Sequence, residues 1–225
     1  GNEKPRMFRS NSSKSLVNRM GFNNPGSEQM KENLESHFKK HGKPSVPIWV
    51  NLGKSKDTPL EDSHIDYSTT FERLWTYGDV FVINVSSPNT PNLRDLQNDE
   101  SLAKIIISCQ EVNSKLSEVN GIMKKPILVK IAPELNDNQL AVVVNTAIDN
   151  GCDGIIATNT TTSRPESDLA SEQKVFSEMG GLSGMPLRDL STNFIGKIYK
   201  LTDGKWPIIG VGGIMNSDDA WEKIT

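Results

Sequence analysis

In Asn84-Val85-Ser86-Ser87-Pro88-Asn89, residue type and spacing constrain chemistry most tightly. Pro88 has a fixed φ and holds the residue before it in extended geometry. Ser87 would therefore be presented rigidly, with an amide on either side of it. A serine is a poor base alone, so a base role needs a proton relay or a very well placed substrate. Other reactive or hydrogen-bonding residues fall where apolar runs end: Asn51-Leu52-Gly53, Lys130 after Ile127-Leu128-Val129, Thr158-Asn159-Thr160-Thr161, and Gly210-Val211-Gly212-Gly213. Asn18 adds one more amide nearer the start. Amides both donate and accept hydrogen bonds, so such a set suits a planar ligand with alternating N–H and C=O groups, such as a pyrimidine or a flavin ring. Lys130 would add a fixed positive charge, and a lysine on a buried strand is costly without a partner or ligand. The backbone of the 210–213 turn could hold phosphate. Singly, most of these motifs also have a plain structural reading. Asn51 could end a strand in a turn, the 158–161 run could cap a helix, and Gly212-Gly213 or Gly180–Gly184 could be simple turns.

The elements that must position these residues follow one rhythm: an amphipathic stretch, a glycine, then a short β-branched run. Residues 27–41, 60–77, 100–120, 137–150 and 188–203 read as helices ending at Gly42, Gly78, Gly121, Gly151 and Gly204. Strands are expected over 46–52, 80–86, 127–131, 154–158 and 207–211. Glycine just past a helix takes the left-handed cap conformation without steric cost, and near-continuous apolar strands are buried on both faces. Helices alternating with such strands make parallel βαβ units, whose right-handed crossovers put the helices outside. A doubly wound sheet and a (β/α)8 barrel both accommodate five units. The barrel is favoured because it gathers every polar strand end at one mouth, whereas an open sheet gathers only those near its switch point. The chain is then a single α/β domain over residues 1–225, an incomplete TIM barrel with two strands expected before it and one after. Residues 1–24 read as irregular, and residues 162–186 as a long functional loop with a helical piece at best.

Composition excludes several classes. The 225 residues carry a formal charge of -3, with no basic surface to attract nucleic acid. Cys109 and Cys152 both sit among apolar residues and read as buried thiols, not as a disulfide or zinc framework. His37 and His41 have i,i+4 spacing but lack the remaining parts of a metalloprotease motif, and His64 stands alone, so no metal site is expected. No apolar run reaches the roughly 18 residues a membrane span needs.

Seven motifs taken together resemble class 2 dihydroorotate dehydrogenase, in the family's order and at similar spacings from residue 1 to residue 225. They are Asn18-Arg19-Met20-Gly21-Phe22-Asn23, Asn51-Leu52-Gly53-Lys54, Asn84-Val85-Ser86-Ser87-Pro88-Asn89-Thr90, Val129-Lys130-Ile131-Ala132-Pro133, Thr158-Asn159-Thr160-Thr161, Gly180-Gly181-Leu182-Ser183-Gly184 and Ile209-Gly210-Val211-Gly212-Gly213. The resemblance implies an FMN-containing β/α barrel that oxidises dihydroorotate to orotate in pyrimidine synthesis and passes electrons through FMN to a membrane quinone. It implies Ser87 as the catalytic base. It places the substrate on Asn18, Asn84, Asn89, Asn159 and Thr160, with the backbone of Arg19, Met20, Gly21 and Phe22 close by. FMN would meet Asn18, Asn51, Asn84, Lys130, Thr158, Gly184 and Gly213. A serine at position 87, where the soluble class has cysteine, points to the quinone-linked class. That class associates peripherally with a membrane through a segment absent here, and the bacterial cell membrane, on its cytoplasmic side, is expected in preference to the mitochondrial inner membrane. The family usually has glycine where this chain has Asn92; asparagine tolerates a left-handed backbone, so a small effect is expected. The family's Ala/Gly-rich flavin loop, a substrate lysine and a last phosphate contact are expected outside this chain. Two other readings remain open: a related flavin barrel acting on another pyrimidine or on uridine in RNA, whose members typically use a cysteine, and a non-catalytic truncated relative.

Overall fold

The computed structural model describes residues 1–225. Two short strands come first, β1 (Met7–Ser10) and β2 (Ser15–Asn18), then α1 (Ser27–His41). There follow β3 (Trp49–Leu52), α2 (Ser63–Leu74), β4 (Val80–Asn84), a 3-10 turn (Leu93–Gln97) and α3 (Asp99–Asn120). The second half holds β5 (Ile127–Ile131), α4 (Asp137–Asp149), β6 (Gly154–Ala157), α5 (Ala170–Phe176), β7 (Gly181–Gly184), a second 3-10 turn (Met185–Leu187), α6 (Arg188–Leu201), β8 (Ile208–Gly210) and α7 (Ser217–Glu222).

The main sheet is parallel and runs in the order β3-β4-β5-β6-β8, the order of the chain, with no reversal. A doubly wound sheet would reverse its strand order and carry helices on both faces. Here one face is covered by helices. Leu52, Ile83, Val129, Ile131, Ile155 and Ala157 pack there with Phe71, Leu102, Ile105, Ile106, Val143, Val144 and Phe194. The other face holds strand residues alone, with Val82, Leu128 and Ile156 buried against one another and Val80 and Ile209 beside them. That one-sided helical layer around an inward apolar face is barrel architecture.

Local chemistry sets the helix limits. Asn98 accepts from the Ser101 N–H at 2.9 Å to start α3, which ends at Gly121 with φ of +65°. Asn136 and Gln139 form a reciprocal capping box at the start of α4. Leu102, Ile105 and Ile106 on α3 are fully buried in the core shared with α2 and the sheet, and each contributes about 1.5–3 kcal/mol. A polar link runs through it: Trp75 Nε1 donates to Asn113 Oδ1 at 2.9 Å, and Asn113 Nδ2 donates to the Lys125 carbonyl at 2.8 Å. By contrast α1 buries no residue.

Two expectations fail. Residues 1–24 are not irregular: β1 and β2 form an antiparallel hairpin, and β7 adds to it with Ser15 opposite Gly184 and Asn18 opposite Gly181. Residues 162–186 therefore are not a loop with a helical piece at best, and Gly180–Gly184 is not a flexible turn. That region holds α5 and a strand, and α5 docks on the hairpin through Phe176 against Val17 and Leu182. Strand limits also move inward, since β3 begins at Trp49 and β8 covers only Ile208–Gly210. The 158–161 run opens no helix, because the next helix starts at Ala170.

Candidate active site

Side-chain alternation along the parallel strands decides what faces inward. Val82 and Asn84 lie two apart on β4, as Leu128 and Lys130 do on β5, so both polar residues share the face of the inward apolar cluster. Asn84 is in register with Lys130, Lys130 with Ile156, and Asn51 with Val82. Asn51, Asn84 and Lys130 thus stand on one side of the sheet, at the carboxyl ends of three neighbouring strands.

Beyond the strand ends the amides form a connected network. Asn84 Oδ1 accepts from the Ser86 N–H at 3.2 Å, from Ser86 Oγ at 2.9 Å and from Asn159 Nδ2 at 3.4 Å. Asn159 Nδ2 also donates to Ser86 Oγ at 3.0 Å, while its Oδ1 accepts from the Thr160 N–H at 2.8 Å. From below, the buried Tyr67 hydroxyl donates to the Asn84 carbonyl at 2.8 Å. A second group joins β2 to the loop after β4. Asn89 Nδ2 donates to Asn18 Oδ1 at 3.1 Å, and the Asn89 carbonyl accepts from Asn2 Nδ2 at 3.2 Å. Asn18 Nδ2 reaches the Gly181 carbonyl at 3.5 Å. The loops after β4 and β6, together with the hairpin, are thereby brought to one mouth.

Ser87 is 8% exposed, and its Oγ accepts from the Asn89 N–H at 3.3 Å. The serine therefore caps its own turn, and the proline frame serves that turn. The N–H aimed at Oγ stabilises negative charge there, which favours loss of its proton.

Two groups in this region lack an internal partner. Burial alone holds the Lys130 ammonium below the usual lysine range, and no carboxylate or acceptor offsets it. Asn89 Oδ1 is the one buried side-chain polar atom in the chain without a hydrogen bond. An unsatisfied buried acceptor costs about 1–3 kcal/mol. Native structures keep such atoms where a ligand or water completes them.

The remaining expected residues divide into three groups. Gly21, Phe22, Asn51 and Asn89 line an open polar cavity of about 500 Å³ beside the hairpin, which Ser87, Lys130, Asn84 and Asn159 do not line. The Phe22 ring sits over Gly53, where a Cβ would meet it at 2.6 Å. Arg19 turns its side chain away, pairing with Glu178 at 2.7 Å and stacking over Phe8 at 4.5 Å, so only its backbone is near the mouth. Met20 also contributes backbone, its N–H lying 3.4 Å from Asn18 Oδ1. Thr158 is buried and donates to the Asn159 carbonyl at 3.0 Å. Gly184 and Gly213 have φ of +94° and +68°, and a Cβ on Gly213 would meet the Arg188 backbone at 2.6 Å. Gly184 lines a second cavity of about 340 Å³ with Arg9, Lys14 and Met215, two residues past Gly213.

Sequence reasoning missed Arg94, Glu134, Gln97 and Tyr67. Their contacts join segments far apart in the chain, and no local pattern announces them.

The family model for dihydroorotate dehydrogenase matches residues 1–225. The chain is 46% identical to the dihydroorotate dehydrogenase (quinone) of Trichodesmium erythraeum (strain IMS101), covering 100% of this chain and 58% of that one. It is 44% identical to the same-named protein of Halobacterium salinarum (strain ATCC 29341 / DSM 671 / R1), of which it covers 59%. Among solved structures, the crystal structure of DHODH in complex with ferulenol from Eimeria tenella superposes with a TM-score of 0.89 at 35% identity, over 100% of this chain and 63% of that one. The chain thus spans a little under two thirds of the relatives it matches.

Proposed function

We propose a function from one premise: the chain belongs to the dihydroorotate dehydrogenase family. The reading is oxidation of dihydroorotate to orotate in pyrimidine synthesis, with FMN as cofactor and a quinone as final electron acceptor. The observation that carries it is the orphaned acceptor Asn89 Oδ1 within the amide network around Ser87. A ring N–H or amide of a pyrimidine would complete it.

The residues present fit FMN. Lys130 is a half-buried cation without a counter-charge. Asn84 on the neighbouring strand and Asn51 on the one beyond share its face, Thr158 follows β6, and Gly184 and Gly213 make left-handed turns packed against Lys14 and Arg188. FMN, when bound, supplies a two-electron acceptor. The chain's own residues do the rest. Asn18, Asn84, Asn89, Asn159 and Thr160 orient the substrate ring, and backbone from Arg19 to Phe22 closes one side. Ser87 Oγ, once its own hydroxyl proton has passed to solvent, takes the proton from the substrate C5, and the Asn89 N–H stabilises the charge on Oγ in between.

A cysteine base is disfavoured by position. Cys109 lies on α3 and Cys152 just before β6; both are buried away from the mouth, and burial pushes the Cys109 thiol up to about 12. No helix of the chain is long and apolar enough to cross a membrane. Separately from that, contact with a quinone is assigned to a peripheral segment outside residues 1–225, at the cytoplasmic side of a bacterial cell membrane.

The test is Ser87→Ala in the intact protein containing this chain. Flavin should remain bound while its anaerobic reduction by dihydroorotate slows by about 10²- to 10⁴-fold, the usual worth of a positioned base. Reduction at the unsubstituted rate refutes the base assignment.

A further inference from the structure

We infer that Arg94 is a positioning residue: its guanidinium and Glu134 lock the loop carrying Ser87 to the loops after β5 and β6. The inference rests on the dihydroorotate reading above. Asn92 adopts a left-handed φ of +56° and turns the chain into the 3-10 segment, which sends Arg94 back over the mouth. Arg94 Nε donates to the Ser86 carbonyl at 3.2 Å, and Nη2 donates to the Thr160 carbonyl at 3.2 Å. Nη1 pairs with Glu134 Oε2 at 2.8 Å. The other carboxylate oxygen, Oε1, accepts from Thr161 Oγ1 and from the Thr162 N–H, each at 2.7 Å. Gln97, one turn on, accepts from the Ala132 N–H at 3.0 Å and so fixes the same 3-10 segment to the end of β5.

The two carbonyls that Arg94 holds belong to the residues adjoining Ser87 and Asn159. One planar fork therefore fixes the separation between the proposed base and the proposed substrate amide. A partly exposed ion pair adds little to stability. Geometry is where it acts, since a displacement of about 1 Å at reacting groups can cost about 100-fold in rate. Lysine carries the charge but cannot reach two carbonyls and a carboxylate in one plane. The Arg94 guanidinium is spent on the Ser86 and Thr160 carbonyls and on Glu134, so it works through the loops.

The experiment uses the intact FMN-bound protein containing this chain, mixed anaerobically with saturating dihydroorotate while the flavin band is followed. Orotate affinity is measured separately by titration. Arg94→Lys should slow flavin reduction by about 10- to 100-fold while orotate affinity changes far less. Arg94→Ala should slow it as much, and added guanidinium should restore part of the rate in a saturable way. Loss of stability alone would give neither the split between rate and affinity nor the rescue. Glu134→Gln, nearly isosteric, should fall between, and it decides the matter if Arg94→Ala fails to fold or to keep flavin. Unchanged reduction in both Arg94→Lys and Glu134→Gln overturns the clamp. If the unsubstituted flavoprotein is itself not reduced by dihydroorotate, the functional reading falls and this inference with it.

Discussion

Lys130 is the residue at which burial and charge are most plainly in conflict. Its ammonium lies on the inward face of β5 with nothing to neutralise it. A lysine whose folded pKa is depressed costs stability while it is protonated. That cost is complete below the folded value and vanishes above the unfolded value of 10.5. Lys130→Met should therefore stabilise the flavin-free protein at neutral pH, with the gain shrinking as pH rises toward that value. The same substitution should weaken FMN retention by roughly 10- to 100-fold, the worth of a charge-assisted hydrogen bond of about 1.5–3 kcal/mol. Denaturation of flavin-free protein across pH, together with flavin content after dialysis, checks both signs. A variant that is less stable and equally yellow would refute the assignment. Lys130, Asn51, Asn84 and Ser87 are legible in the sequence because a polar residue ending an apolar run is locally anomalous. Arg94 and Glu134 are not legible, because nothing near either of them is unusual. The signal is a meeting of three loops, present only once the chain is folded. The turn bond from the Asn89 N–H to Ser87 Oγ was likewise invisible, since Pro88 frames a turn and a reactive serine alike.

At the scale of elements, the parallel strands and their helices could be read from periodicity and glycine punctuation, whereas β1, β2 and β7 could not. Each of these three is four residues long, and β7 begins and ends in glycine. None has enough alternation to declare a strand, so pairing with the others supplies what propensity lacks. The pairing has a tight point. A Cβ at Gly181 would run into Thr160 Oγ1, so Gly181→Ala should displace Thr160 and with it the loop holding Asn159. Orotate binding should fall by at least about tenfold, the equivalent of 1.4 kcal/mol, with little change in flavin content. Titration of the flavin spectrum with orotate measures this. The dock of α5 on the hairpin depends on Glu172, a carboxylate met by the hydroxyls of Ser12 at 2.5 Å, Ser167 at 2.6 Å and Ser10 at 3.3 Å. Those hydroxyls, Ser12 and Ser167 first, hold it below the ordinary value of 4.5. The stabilisation is therefore present above that value and is lost as pH falls through the lower folded one. Protection from hydrogen exchange across residues 164–180, corrected for the intrinsic slowing of exchange in acid, should fall on acidification in the unsubstituted protein. Glu172→Gln should show the lower protection already at neutral pH.

For the whole molecule, chain-ordered strands mean that every loop at their carboxyl ends opens on the same side, from Asn51 on β3 to Gly213 after β8. A ligand reaching Asn51, Lys130, Thr158 and Gly213 would touch four of the five parallel strands or the loops that leave them, so it would act as a brace across the sheet. Ligand linkage gives the size of that brace. At a free concentration 100 times Kd, a ligand that binds only the folded state adds about 2.7 kcal/mol. For a domain of this size each kilocalorie shifts Tm by about 2–4 °C, so saturating FMN should raise the Tm of the flavin-depleted intact protein by several degrees. The substitutions then sort by where they act. Ser87→Ala removes a base and no proposed flavin contact, so its FMN-induced shift should equal that of the unsubstituted protein although its reduction by dihydroorotate is slow. Lys130→Met should lose much of the shift, and Arg94→Lys should keep it while reducing slowly. Thermal scans of the three variants with and without added FMN separate holding the cofactor from using it. A Ser87→Ala protein that lost its FMN-induced shift would place Ser87 among the cofactor contacts and remove the reason for treating it as the base.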